Sequence, residues 1–217
     1  MSSKFINPEF VYINQELLRN RKIEIEGGRI IGISADGDAS DNGIYLPGFV
    51  NVHSHAFQRG LRGRGETFID GKDSFWGWRE HMYSLVNELD KESMLEWCIQ
   101  AFKEMRSAGI TSVGEFHYLH HESKKDYAFD EVVLQAAQEV GIRIVLLHSA
   151  YMHGSINEDL HVQQQRFNTT SLDQWWSQVD SLKEKINSDL QKIGVAAHSI
   201  RAVDPESIGS IAEGAFS

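Results

Sequence analysis

The sequence predicts a parallel α/β fold, the first four units of a (β/α)8 barrel preceded by a small β element. Three observations predict it. Strand-like and helix-like patterns alternate four times after residue 46, which argues a parallel sheet joined by right-handed crossovers. Polar residues gather at the C-terminal ends of the successive strands: His53 and His55, His117 and Tyr118, His148, then His198 and Arg201. A barrel carries its chemistry at that end. Neither G-x-G-x-x-G after the first strand nor a P-loop is present, which counts against a nucleotide-binding doubly wound sheet. A whole barrel needs about 250 residues, so the expectation is the front half of something longer.

The elements follow in order. Lys22 to Glu26 alternates in KIEIE, Gly27 and Gly28 supply positive φ angles, and RIIGIS runs back, which reads as a β-hairpin. SADGDASDNG reads as an exposed loop. Pro47 and Gly48 then open a strand in which Phe49, Val50 and Val52 form the apolar run of a strand covered on both faces. Phe75, Trp76, Trp78, Met82, Leu85, Val86 and Leu89 recur at helical spacing, with Asp73 or Ser74 as N-cap. A second helix starts near Asp90 and stops at Gly109. ITSVGEF is the second barrel strand, Phe129 to Val140 a helix, IRIVLLHSAY the third strand, Leu172 to Leu190 a helix, and VAAHSIRAV the fourth strand with its loop. Asp204 and Pro205 open a last helix as N-cap and first residue.

With 217 residues, 41% of them hydrophobic, the chain can bury a substantial core. Its net charge of −10 argues against nucleic-acid partners. The single cysteine, Cys98, excludes an internal disulfide framework and reads as a buried structural thiol. No signal-peptide pattern and no run of about 18 apolar residues occurs, so the expectation is a cytoplasmic chain with no membrane partner.

The stretch LPGFVNVHSHAFQRGLRG, Leu46 to Gly63, organises the functional reading. Alternate strand residues share a face, so His53 and His55 project together and can reach one ion. A catalytic zinc keeps three or more protein ligands and an open position; His198 is either a third ligand or a substrate contact. Arg79, following FWGW, suits a carboxylate or an ordinary salt bridge, and Arg201 carries the same two readings. Glu115 is expected to pair with an arginine rather than act as a base. Arg59, Arg62 and Arg64 form a basic loop, read as solvated surface. His120, His121 and His161 are expected to be solvated in polar loops, and His117, His148 and His153 are given no role.

The blocks HSHAFQR, DSFWGWREHMY, EFHYLHH and AHSIRAV, in that order, resemble the amidohydrolase superfamily, in particular its formimidoylglutamate deiminases (N-formimino-L-glutamate iminohydrolases) of histidine degradation. The resemblance implies a TIM-like barrel of the metal-dependent hydrolase type over 47–217, truncated, and an N-terminal β-sandwich portion over 1–46. It implies His53 and His55 as zinc ligands, and Gln58, Arg79, Tyr118, His198 and Arg201 as substrate contacts. The implied reaction is hydrolytic loss of ammonia from N-formimino-L-glutamate, leaving N-formyl-L-glutamate, by water activated on one zinc ion. The catalytic residues and remaining ligands would come from beyond Ser217, so the isolated chain is expected to be inactive or to bind zinc weakly, and to aggregate or form a homo-oligomer. A purine deaminase of the same superfamily and a non-catalytic binding module are the alternatives.

Overall fold

The computed structural model describes residues 3–35, 37–64, 75–123, 125–156, 158–186 and 189–216. The expected N-caps Asp73 and Ser74, and the Trp76 side chain, lie outside the described residues. The chain divides into two compact units, Met1–Gly48 and Phe49–Ser217.

The first unit holds strands β1 (Lys4–Ile6), β2 (Pro8–Ile13), β3 (Glu16–Arg19), β4 (Lys22–Glu26), β5 (Arg29–Ser34) and β6 (Asp41–Tyr45). They form two three-stranded sheets, ordered β1-β4-β5 and β3-β2-β6. The β4–β5 hairpin turns through Gly27 and Gly28 at φ 56° and 78°, the left-handed conformations that glycine adopts without steric cost. The end of the SADGDASDNG stretch is strand rather than loop. Asp41 accepts the Gly43 N–H at 3.0 Å and the Tyr45 hydroxyl at 2.7 Å, while β6 pairs in parallel with β2.

The second unit is a four-stranded parallel sheet of β7 (Phe49–Ser54), β8 (Ile110–His117), β9 (Arg143–Ala150) and β10 (Gln191–Ala197). Spatial order follows chain order without reversal, as in a barrel wall; a doubly wound sheet reverses near its first strand. Helices α1 (Phe75–Glu88), α2 (Lys91–Ser107), α3 (Ala128–Val140), α4 (Leu172–Lys185) and α5 (Pro205–Ala215) connect and follow the strands. Short 3-10 helices, Ala56–Leu61 and Val162–Phe167, occupy the loops after β7 and β9.

Local chemistry sets the helix boundaries. Asp90 accepts the Ser93 N–H at 2.9 Å and the Ser93 hydroxyl accepts the Asp90 N–H at 3.0 Å, a reciprocal cap on α2. Ser171 caps α4 and Asp204, followed by Pro205, caps α5. Carbonyls near the end of α1 are taken by Arg166, which bonds Val86 and, at 2.7 Å, Leu89. The α4 helix ends at Lys185, short of Leu190, because Ile186 is extended. This lets β10 begin at Gln191, four residues before Val195, with the Gln191 amide donating to the Leu134 carbonyl at 2.7 Å. His198 and Arg201 consequently lie in the loop after β10.

The core lies between sheet and helices, where Val113, Ile144 and Leu146 meet Met94, Cys98 and Phe102 of α2, Phe129, Val133 and Ala137 of α3, and Leu182 of α4. The other side is open. Phe49, Val50 and Val52 are 59%, 64% and 76% exposed, so β7 is not covered on both faces as its apolar run suggested. No strand among the described residues stands opposite them.

Candidate active site

At the C-terminal ends of the strands lies a cavity of about 820 Å³, and the seven residues singled out in the sequence, His53, His55, Gln58, Arg79, Tyr118, His198 and Arg201, all line it. The Nε2 atoms of His53 and His55 lie 3.2 Å apart. Two imidazoles on a four-coordinate zinc with bonds of about 2.0–2.1 Å would have nitrogens separated by ~3.3 Å. The His55 Nδ1–H donates to the Phe116 carbonyl at 2.9 Å, which fixes the tautomer and leaves the Nε2 lone pair facing the cavity. Burial, together with His53 and His117, lowers the His55 pKa against the opposing bond to Phe116, favouring the neutral, ligating form. The pair therefore fits two positions of a metal's ligand set.

The remaining residues ring the cavity. Gln58 donates from Nε2 to the Tyr118 hydroxyl at 2.8 Å. The Arg79 Nε donates to the Tyr83 hydroxyl at 2.9 Å, with the guanidinium 5.2 Å from the centre of that ring. His198 packs 5.1 Å from the Tyr118 ring and 4.5 Å from that of Tyr151. Burial first, then His55 and Arg201, push its pKa down to about 4, so at neutral pH it is an uncharged imidazole. Trp78, Tyr83, Tyr151 and His161 also line the space and had not been singled out. Tyr151 follows the end of β9, and the strand-end rule that selected Tyr118 would have found it.

Two of the three histidines expected to be solvated are not. His120 and His121 are fully buried, whereas His161 is exposed as expected. His117 and His148, neighbours in the register of β8 and β9, turn to the helix side, where Asp130 of α3 lies. The Asp130 carboxylate accepts from His117 Nε2 at 2.9 Å, His120 Nδ1 at 2.8 Å, His148 Nε2 at 2.8 Å and Gln178 Nε2 at 3.0 Å. Four donors fill the acceptor positions of a carboxylate. The other nitrogen of His120 lies 2.9 Å from the Ser149 carbonyl, so both ring nitrogens face acceptors. His117, His120 and Asp130 bring three ligand atoms within 4.8 Å of one another and could hold a metal.

Glu115 pairs with no arginine among the described residues. It is 1% exposed, and its Oε1 accepts the Ala56 N–H at 2.6 Å beneath the His53–His55 turn. The Arg59, Arg62 and Arg64 loop is tied down by acids, Arg59 and Arg62 on Glu104 at 2.7 and 3.2 Å and Arg64 on Glu88 at 3.0 Å.

Residues 44–216 match the model of the amidohydrolase family. The chain belongs to that family. It is 33% identical over 203 residues to the formimidoylglutamate deiminase of Pseudomonas aeruginosa, a match covering 89% of this chain and 45% of that protein. It is 28% identical to the 5'-deoxyadenosine deaminase of Methanococcoides burtonii over 57% of this chain and 29% of that one. Among solved structures, an amidohydrolase from Brucella melitensis superposes with a TM-score of 0.85 at 28% identity, covering 96% of this chain and 49% of that one. An atrazine chlorohydrolase from Arthrobacter aurescens, complexed with zinc, shares the fold at a TM-score of 0.73 and 16% identity, over 97% of this chain and 50% of that one. The chain thus spans about half the length of the relatives it matches. The family is metal-dependent, and no helix among the described residues is long and apolar enough to cross a membrane.

Proposed function

We propose that this chain is the substrate-binding half of a zinc-dependent formimidoylglutamate deiminase, which releases ammonia from N-formimino-L-glutamate to leave N-formyl-L-glutamate. The observation that carries the reading is the joint presence of Arg79 and Arg201 in the cavity that also holds the His53–His55 pair. A glutamate derivative brings two carboxylates, and guanidinium groups are suited to hold them. The relative from Pseudomonas aeruginosa supports the same substrate class.

In this reading His53 and His55 hold the zinc through Nε2. When bound, the ion polarises the electrophile and lowers the pKa of its water. Gln58, Tyr118 and the neutral His198 fix the substrate by hydrogen bonds, and Arg79 and Arg201 orient its carboxylates. The aromatic lining, Trp78, Tyr118, Tyr151 and Phe167, favours a second reading in which a purine stacks there, as in a purine deaminase. Two imidazoles do not make a closed ligand set, so the isolated chain binds zinc weakly and turns over no substrate at a normal zinc-enzyme rate.

Ammonia release tests the assignment. The chain joined to the remainder of its barrel should act on N-formimino-L-glutamate and not on 5'-deoxyadenosine, and Arg79→Ala should abolish that activity. The reverse preference, or unchanged turnover in the variant, refutes the reading.

A further inference from the structure

Tyr151 occupies a built position in the cavity wall. Its backbone N–H donates to the Thr169 hydroxyl at 3.0 Å and its carbonyl accepts the Thr169 N–H at 2.7 Å. Its ring packs 5.4 Å from that of Phe167 and 4.5 Å from that of His198. The direction of its hydroxyl follows from a second residue. Gln164 is fully buried, and its Oε1 accepts the His161 N–H at 2.9 Å, which fixes the orientation of the amide. The group 2.9 Å from the Tyr151 hydroxyl is therefore the Gln164 NH2. An NH2 only donates, so the phenol oxygen is the acceptor and its own proton is directed elsewhere. No acceptor among the described residues takes that proton. Gly154 keeps the arrangement possible, because a Cβ there would fall 2.9 Å from Gln164 Oε1 and 2.5 Å from the Asp159 carbonyl.

We propose that Tyr151 is a specificity-determining residue whose hydroxyl hydrogen, aimed by Gln164, binds a substrate carboxylate oxygen held between Arg79 and Arg201. The inference rests on the dicarboxylate reading above and adds to it a neutral donor. Burial, with Tyr83 beside it, raises the Tyr151 pKa; Gln164, Arg79 and Arg201 act in the opposite direction. The phenol thus keeps its proton at neutral pH, and both guanidinium groups exert their field on it. A carboxylate drawn in by those charges meets a hydroxyl with a free hydrogen and a ring that cannot turn away.

The test is calorimetric titration of the chain with N-formyl-L-glutamate and with its dimethyl ester, which has the same skeleton without charge. The unmodified chain should prefer the acid. Tyr151→Phe should weaken binding of the acid about tenfold or more, the expected loss of a hydrogen bond to a charged group, and leave the ester unchanged. Gln164→Met, which keeps the phenol but no longer aims it, should reduce the same preference to a smaller extent. Equal weakening of both ligands, or a preference intact in both variants, overturns the inference while leaving the dicarboxylate reading standing. An unmodified chain that does not prefer the acid refutes the dicarboxylate reading and the inference with it.

Discussion

Replacing Glu115 by glutamine removes a carboxyl that the fold holds in an environment unfavourable to its charge. Burial outweighs the hydrogen bonds from Ser54 and Ala56 and raises its pKa from 4.5 to about 7. At ~1.4 kcal/mol per pH unit, this corresponds to ~3 kcal/mol of differential stability. The folded carboxyl keeps its proton where the unfolded one has lost it, so its contribution is most favourable below pH 4.5 and is lost as pH rises to about 7. His148 acts in the opposite sense. Burial holds it down to about 4, so it removes stability as pH falls from 6.5 towards 4, and the raw profile mixes the two. The difference between Glu115→Gln and the unmodified chain isolates the carboxyl. Urea unfolding from pH 5 to pH 8 should show the variant gaining ~2–3 kcal/mol relative to the unmodified chain across that range. Parallel profiles, within ~0.5 kcal/mol throughout, would refute the assignment of a buried, uncompensated acid.

Three further outcomes follow from the same geometry. Asp130→Asn should cost ~3–5 kcal/mol in denaturant unfolding, because an amide cannot accept from all four surrounding donors and leaves buried donors without a partner; a loss below ~1 kcal/mol would contradict the network. Cys98, fully buried and with its thiol pKa pushed well up by burial and by Glu115, should resist a thiol reagent in the native chain and react fully in urea; rapid native labelling would contradict that packing. Gly60→Ala should destabilise the loop after β7, since a Cβ there would fall 2.8 Å from Leu85 and 3.2 Å from the Trp97 ring nitrogen; an unchanged melting temperature would show that α1 and α2 yield at that point.

The sequence was most legible where a local rule decides the outcome. A period of two brings His53 and His55 together, and Asp90, Gly109, Asp204 and Pro205 mark helix ends because capping is a matter of near neighbours. Alternation made the parallel sheet readable, and the polar residues at successive strand ends made it readable as a barrel wall. The misreadings came where distant residues decide. His120 and His121 sit in a polar stretch, and what buries them is Asp130 on the following helix together with carbonyls of Ser149 and Asn168. Glu115 looked like half of a salt bridge, but its neighbours are the Ala56 N–H, the Ser54 hydroxyl and the Cys98 thiol. The apolar run of β7 implied cover on both faces, yet an apolar run does not show where its cover comes from, and Phe49, Val50 and Val52 are exposed. Tyr151 is within reach of the strand-end rule, but the direction of its hydroxyl is set by Gln164, thirteen residues later in a 3-10 helix, which no local pattern reveals.

Zinc titration of the chain, with His55→Ala and His117→Ala measured alongside, discriminates between the two clusters able to hold a metal. One weak site per chain, lost in His55→Ala and retained in His117→Ala, is the result expected of the paired imidazoles facing the cavity. Zinc retained without His55 and lost without His117 would move the metal to the Asp130 group and contradict the proposed active site.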